Sequence, residues 1–201
     1  MKNSSDKPTL SQDSLATDLF RAMEKFDVGE VLRLAPLIEE LDSHSYGHYE
    51  ESPLVFAARH DLPLKVFELL LPRSNPKKRN ADGATALILA AWGRKRYSAD
   101  IARLLLPVSD PLALMFETDS ALHCSVASLN LETVALLLPH SDLEQRDHDA
   151  RTALECAIEN YGSFGLAVAN LIREEMARRE SMELSLSTRV AEPNGPRSPR
   201  L

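Results

Sequence analysis

The sequence predicts an all-α chain: a solenoid of about five helix–turn–helix units with loops projecting from it. Three observations carry that reading. A Ser/Thr-x-Leu word recurs at Ser52-Pro53-Leu54, Thr85-Ala86-Leu87, Ser120-Ala121-Leu122 and Thr152-Ala153-Leu154, a nearly constant step. A Leu-Leu-Leu-Pro word recurs at 69–72, 104–107 and 136–139, and its prolines keep one fixed distance to the Ser or Thr that follows at 85, 120 and 152. Of the whole chain 44% is hydrophobic but only 5% aromatic, so the core has to be built from Leu and Ala. Self-similarity at such a period is the signature of stacked supersecondary units.

Each unit has the same physical reading, clearest at 120–149. Ser or Thr ahead of an apolar run is a helix N-cap. The first helix that follows is small and apolar, with Leu122, Cys124, Val126 and Ala127. After a turn at Leu129-Asn130, a second helix carries Leu131, Val134, Leu137 and Leu138 at helical spacing. Pro139 ends it, because proline biases the residue before it away from helix. The polar stretch to the next cap holds turn formers such as Asp82-Gly83 and Ser141-Asp142.

These words resemble the ankyrin repeat, whose period is about 33 residues and whose motif is T-P-L-H-x-A with a Leu-rich second helix. Ser120-Ala-Leu-His-Cys-Ser matches with Ala for Pro and Ser for the closing Ala, and Leu-Leu-Leu-Pro-x-Ser-Asp/Asn is similar to a bacterial style of the repeat. The resemblance covers about 17–180, with units at 17–51, 52–84, 85–119, 120–151 and 152–180, and is strongest in the central three.

In chain order, residues 1–14 are polar and are expected to be disordered, with no secretory signal. The first unit, opening at an eroded Thr17-Asp18-Leu19 word, is the N-terminal cap; Leu19, Phe20, Met23, Val31, Leu32 and Leu34 give it one apolar face. Its loop holds His44, Tyr46, His48 and Tyr49, which read as a contact patch rather than a metal site. In the second unit Pro63 opens the second helix, and Lys77-Lys78-Arg79 is a solvated basic run. An insertion within Arg94-Lys95-Arg96-Tyr97-Ser98 lengthens the third unit's inter-helix turn and places a basic cluster away from the loops. The fifth unit ends in a long polar helix, a C-terminal cap. Residues 181–201, rich in Pro, Gly, Ser and Arg, are expected to form a disordered tail.

The net charge is −7; residues 1–14 are neutral and 181–201 carry +1, which leaves −8 on the repeat body. That disfavours a nucleic-acid backbone as partner. No apolar stretch approaches the ~18 residues of a membrane span. Cys124 and Cys156 occupy one slot in consecutive units, and helices packed about 8–10 Å apart do not bring Cα atoms within disulfide reach. Two free thiols fit a reducing cytoplasm, or a host cytoplasm if the chain is exported. His123 and Cys124 are adjacent in one helix and do not face each other as a nucleophile pair. With no phosphate-binding loop either, the expectation is a monomer with no catalysis, cofactor, metal or small-molecule substrate.

The resemblance implies a function as well: binding of a protein through loop tips and the exposed positions of first helices. Carried onto this chain, that surface comprises Tyr49, Glu51, Arg59, Asp82, Trp92, Phe116, Glu117, Asp119, His148 and Arg151. Trp92, the single tryptophan, and Phe116, in a loop that does not need it, are the expected anchors. The expected role is an adaptor or bacterial effector; the alternative is an inhibitor or immunity-type protein that blocks an enzyme.

Overall fold

A computed structural model describes residues 11–93, 96–160 and 162–191. It is mostly helical. The described residues form ten α-helices: α1 (Gln12–Glu24), α2 (Val28–Leu34), α3 (Pro53–Arg59), α4 (Leu64–Leu70), α5 (Ala86–Ala91), α6 (Ser98–Leu105), α7 (Ala121–Ala127), α8 (Leu131–Leu137), α9 (Ala153–Asn160) and α10 (Gly162–Ala191). Odd and even helices alternate as pairs, with α1 on α2, α3 on α4, and so on to α9 on α10. The pairs stand side by side in two rows. In one row α3, α5, α7 and α9 touch in succession; in the other α2, α4, α6, α8 and α10 do.

Local chemistry sets the element ends. Thr85, Ser120 and Asn130 accept the backbone N–H three positions on, each filling an orphan donor of the first helical turn. Thr152 and Glu155 form a reciprocal capping box, the Thr152 hydroxyl accepting from Glu155 N–H and the Glu155 carboxylate accepting from Thr152 N–H. Ser52 departs from the expected role, since its buried hydroxyl finds no hydrogen-bond partner among the described residues. Pro53, at the first position of α3, supplies the helical φ there instead. The odd helices α1, α3 and α7 end on Phe26, Asp61 and Leu129 in the left-handed region. The next amide reaches back to the carbonyls of Ala22, Ala57 and Ser125, the closing bond of a Schellman motif. Helices α4 and α8 do not stop at the proline: at 71–73 and 138–140 the chain tightens into a 3₁₀ turn with proline inside it.

Three boundary expectations change. Ser11, well before Thr17, caps α1, and Thr17 lies inside the helix with its hydroxyl donating to the Asp13 carbonyl. The repeat register assumed a first helix of ordinary length, whereas α1 runs over Gln12–Glu24, about twice the length of α3 or α7. Positions 12–14, expected to be disordered, are therefore helical, and the rest of that expectation (1–10) lies outside the described residues. At the other end α10 runs on to Ala191. The proline and glycine that suggested a disordered tail begin only at Pro193, and the helix formers Met182, Glu183 and Leu184 precede them; 192–201 lie outside the described residues.

The core is continuous along the rows: Leu19, Phe20 and Met23 at one end, then Leu54, Phe67 and Leu70, then Leu87, Leu105 and Leu122, then Val134, Leu137 and Val168. Leu131, expected on the apolar side of α8, is exposed, since as first residue of the helix it precedes the buried stripe of Val134 and Leu137. Tyr46, expected in a contact patch, stacks on Phe20 (4.8 Å) and meets Phe56 edge-on (5.6 Å), joining the first two pairs.

Candidate functional site

The segments between pairs project as short hairpins. One is a true two-stranded ladder, β1 (Leu114–Met115) against β2 (Asp119–Ser120); two others are single bridges, Tyr46 to Glu51 and Arg146 to Thr152. The fourth is closed by Asn80, whose N–H donates to the Ala84 carbonyl and whose Oδ1 accepts from the N–H groups of Asp82 and Ala84. Neighbouring hairpins are tied by backbone bonds, Ala81 N–H to Tyr49 O and Phe116 N–H to Asp82 O, both 2.8 Å. The next link uses a side chain: the Asp119 carboxylate accepts from His148 N–H at 3.1 Å.

Beneath the last two hairpins, against α5, α7 and α9, lies a cleft of about 570 Å³. Its walls include Trp92, Phe116, Asp119, Ala127, Asp147 and Arg151. Five of the ten residues expected at the site thus converge: Trp92, Phe116, Asp119, His148 and Arg151. Trp92 caps α5 and is 43% exposed. Its backbone is fixed from α7, because the Ser128 hydroxyl accepts from Gly93 N–H and reaches the Ala91 carbonyl at 2.8 Å. Phe116 is 55% exposed at the hairpin tip. It and Glu117 both have positive φ (50° and 64°), and Thr118 N–H closes the turn on Met115 O. That is a type I′ turn, which ordinarily takes Asn-Gly.

Asp147 anchors the far wall. Burial opposes its charge, yet the backbone and guanidinium of Arg151, the Cys156 thiol and Asp149 N–H all donate to it and hold its carboxyl far below the usual range. Arg151, donating to Asp147 and Asp149, is raised correspondingly, the Asp147 hydrogen bond contributing most. Burial, then the hydrogen bond to Asp147, pushes the Cys156 thiol up to about 12. His123 braces the same hairpin: its Nε2 lies 3.1 Å from the Arg151 carbonyl, which only accepts, so Nδ1 accepts from the Ser120 hydroxyl at 2.9 Å. Burial lowers its pKa. His148 is raised, chiefly by the Asp119 carboxylate 3.1 Å from Nδ1 and then by Asp149.

No family model matches the chain, and comparison with curated proteins finds no match.

The remaining expected residues fall elsewhere. Tyr49, Glu51, Arg59 and Asp82 form a cluster two units away, where the Arg59 guanidinium lies 4.5 Å over the Tyr49 ring, pairs with Glu51 and comes within 3.9 Å of Asp82. Glu51 is 3% exposed, so its carboxylate is engaged inside the chain rather than offered at a surface. Glu117 points away on the Arg79–Gly83 side of the Phe116 hairpin. Arg94 and Lys95 lie outside the described residues. His44 faces Asp13 at 3.7 Å and His48 meets Tyr49 edge-on. Sequence reasoning missed Asp147. A signal for it exists, because it stands before Thr152 at the register that Asn80 holds before Thr85, and the two close their hairpins through the same pair of amides.

Proposed function

We propose that the chain is an ankyrin-type solenoid of about five units that binds a partner protein through the hairpin tips and the cleft beneath them. One observation carries the reading: Phe116 is held exposed in the left-handed region, beside exposed Trp92, at the mouth of a cleft with mainly apolar walls. A non-glycine residue in this conformation is unfavourable, and such strain concentrates where function maintains it. Two large aromatics bordering a concave surface suit the role of binding hot spots. The two-row stack of helix pairs, together with the regular return of the Ser/Thr-x-Leu word, supports the repeat reading. Binding rather than catalysis is supported by a thiol held protonated at Cys156 and by His123, whose ring nitrogens are both engaged in bracing the hairpin. Among the described residues no helix is long and apolar enough to cross a membrane.

The test is site-directed photocrosslinking in the producing cell. A benzophenone residue at Glu117, beside Phe116, is expected to capture one protein, and the same group at exposed Glu68 on α4 is expected to capture none. Trp92→Ala and Phe116→Ala should each weaken binding of the captured protein by about 2 kcal/mol or more. Equal capture from both positions, or unchanged affinity in both variants, overturns the proposal.

A further inference from the structure

Aligning the units on their caps exposes a recurring pair and one place where half of it is missing. The residue just before the cap faces a residue at the exposed end of the first helix, two turns further on. In the second unit these are Glu51 and Arg59, which form an ion pair. In the fifth they are Arg151 and Glu159, 3.6 Å apart with the charges exchanged. In the third they are Ala84 and Trp92, both uncharged. In the fourth they are Asp119 and Ala127: the carboxylate is present and the cation is not.

Part of the Arg59 surroundings is reproduced around Ala127. Arg59 lies between Glu51 and, from the next hairpin, Asp82. The residues at the same register around Ala127 are Asp119 and Asp149; Asp149 pairs with Arg151 at 2.6 Å, so Asp119, which lines the cleft, is the carboxylate left for a further cation. Arg59 stacks on the aromatic ring of a hairpin residue, Tyr49; Phe116, on the hairpin that bears Asp119, and Trp92, on the preceding first helix, line the cleft beside Ala127. Ala127 is exposed, and the cleft occupies the space that a longer side chain there would take. Asp119 accepts from His148 N–H, the His148 ring and the Thr118 hydroxyl, and among the described residues no Lys or Arg lies within ion-pair distance of it. The His148 side chain is 63% exposed and has room to turn away.

We infer that the cleft receives an arginine side chain from the partner protein, its guanidinium placed against Asp119 above Ala127 as Arg59 is placed against Glu51. Arginine fits better than lysine. Its planar, weakly hydrated guanidinium stacks on aromatic faces and meets carboxylates through a fork of donors, whereas an ammonium is a compact, strongly hydrated point charge. Mainly apolar walls favour the less hydrated ion. The inference rests on the protein-binding reading and specifies what that partner presents.

Trp92, the single tryptophan, reports on the cleft directly. Its fluorescence is titrated with the peptide acetyl-Leu-Arg-Leu-amide and with the same peptide carrying citrulline, an uncharged isostere, or lysine. The expected result is a saturable change with the arginine peptide that is weakened about tenfold or more by citrulline, the usual size for losing a charge-assisted pair. Ala127→Arg restores the second unit's arrangement within the chain and is expected to abolish the response while leaving the melting temperature unchanged or raised. Asp119→Asn should weaken it about as much as citrulline does. The inference is overturned by the absence of a saturable response, by equal responses to arginine and citrulline peptides, by a lysine peptide that binds more tightly, or by a response that survives both variants. Capture of a protein at Glu117 alongside any of those results rejects the arginine and leaves the protein-binding reading standing.

Discussion

Phe116 has φ of 50°, and a residue with a Cβ in that region gives up stability of roughly 1–2 kcal/mol. More than half exposed, it recovers little of that by burial in the chain itself. Phe116→Gly is therefore expected to raise the melting temperature while weakening partner binding, and a fall in melting temperature would show that the ring supports the fold. Gly83 behaves in the opposite sense. Its φ is 79°, and a Cβ there would lie 3.1 Å from the Leu114 carbonyl oxygen, so Gly83→Ala should destabilise the link between the second and third hairpins. The site was partly legible at this scale. Trp92 stood out as the single tryptophan and Phe116 as an aromatic in a loop that does not need it, and both line the cleft. Glu51 and Arg59 carried the same positional signal but satisfy each other, because position in a repeat does not say whether a charge finds its counter-ion inside the chain.

Helix α10 shows what one element can hold in place. Glu175 is nearly buried and accepts from Arg178 and Arg179. The Arg179 guanidinium in turn donates to the carbonyls of Leu138 and Ser141 at the end of the preceding pair. The hydrogen bonds from Arg178, then Arg179, outweigh burial and lower the Glu175 pKa to about 2. A depressed carboxylate contributes stability that is present above its unfolded pKa near 4.5 and is lost as pH falls toward 2. Chemical denaturation across that interval should show a decline that Glu175→Gln flattens, while the variant is less stable at neutral pH. Residues 181–187 of the same helix are exposed throughout. Truncation after Glu180 should accordingly change stability by no more than about 0.5 kcal/mol; a larger loss would show that the removed residues pack on the body. The helical extension escaped sequence reasoning because composition was averaged over 181–201, and the breakers occupy only its second half.

Among the described residues, the contacts that a helix pair makes beyond itself are mainly with the pairs next to it. The order of these pairs was legible because the Ser/Thr and Leu-Leu-Leu-Pro words fix a period, and the period fixes which helices meet. Less legible was the first pair, where α1 extends beyond the repeat's first-helix length. Leu137, fully buried in the second row, is the place to test coupling along the stack. Leu137→Ala should cost about 2–5 kcal/mol. Hydrogen exchange should then accelerate most in α7–α10 and least in α1–α4, as nearest-neighbour coupling demands; uniform acceleration would mean the chain unfolds as a single unit.

The pairing of Cys156 with Asp147 has a further consequence, for time rather than for energy. A thiol pushed up to about 12 and buried in the wall of the cleft is almost never a thiolate, and the thiolate is the species that alkylating reagents attack. Its modification therefore waits for the last hairpin to part from α9, which exposes the sulfur and removes the carboxylate together. The labelling rate of this one atom becomes a clock for how often the C-terminal end of the stack breathes. An occupant that bridges the cleft walls should slow that clock without touching the sulfur.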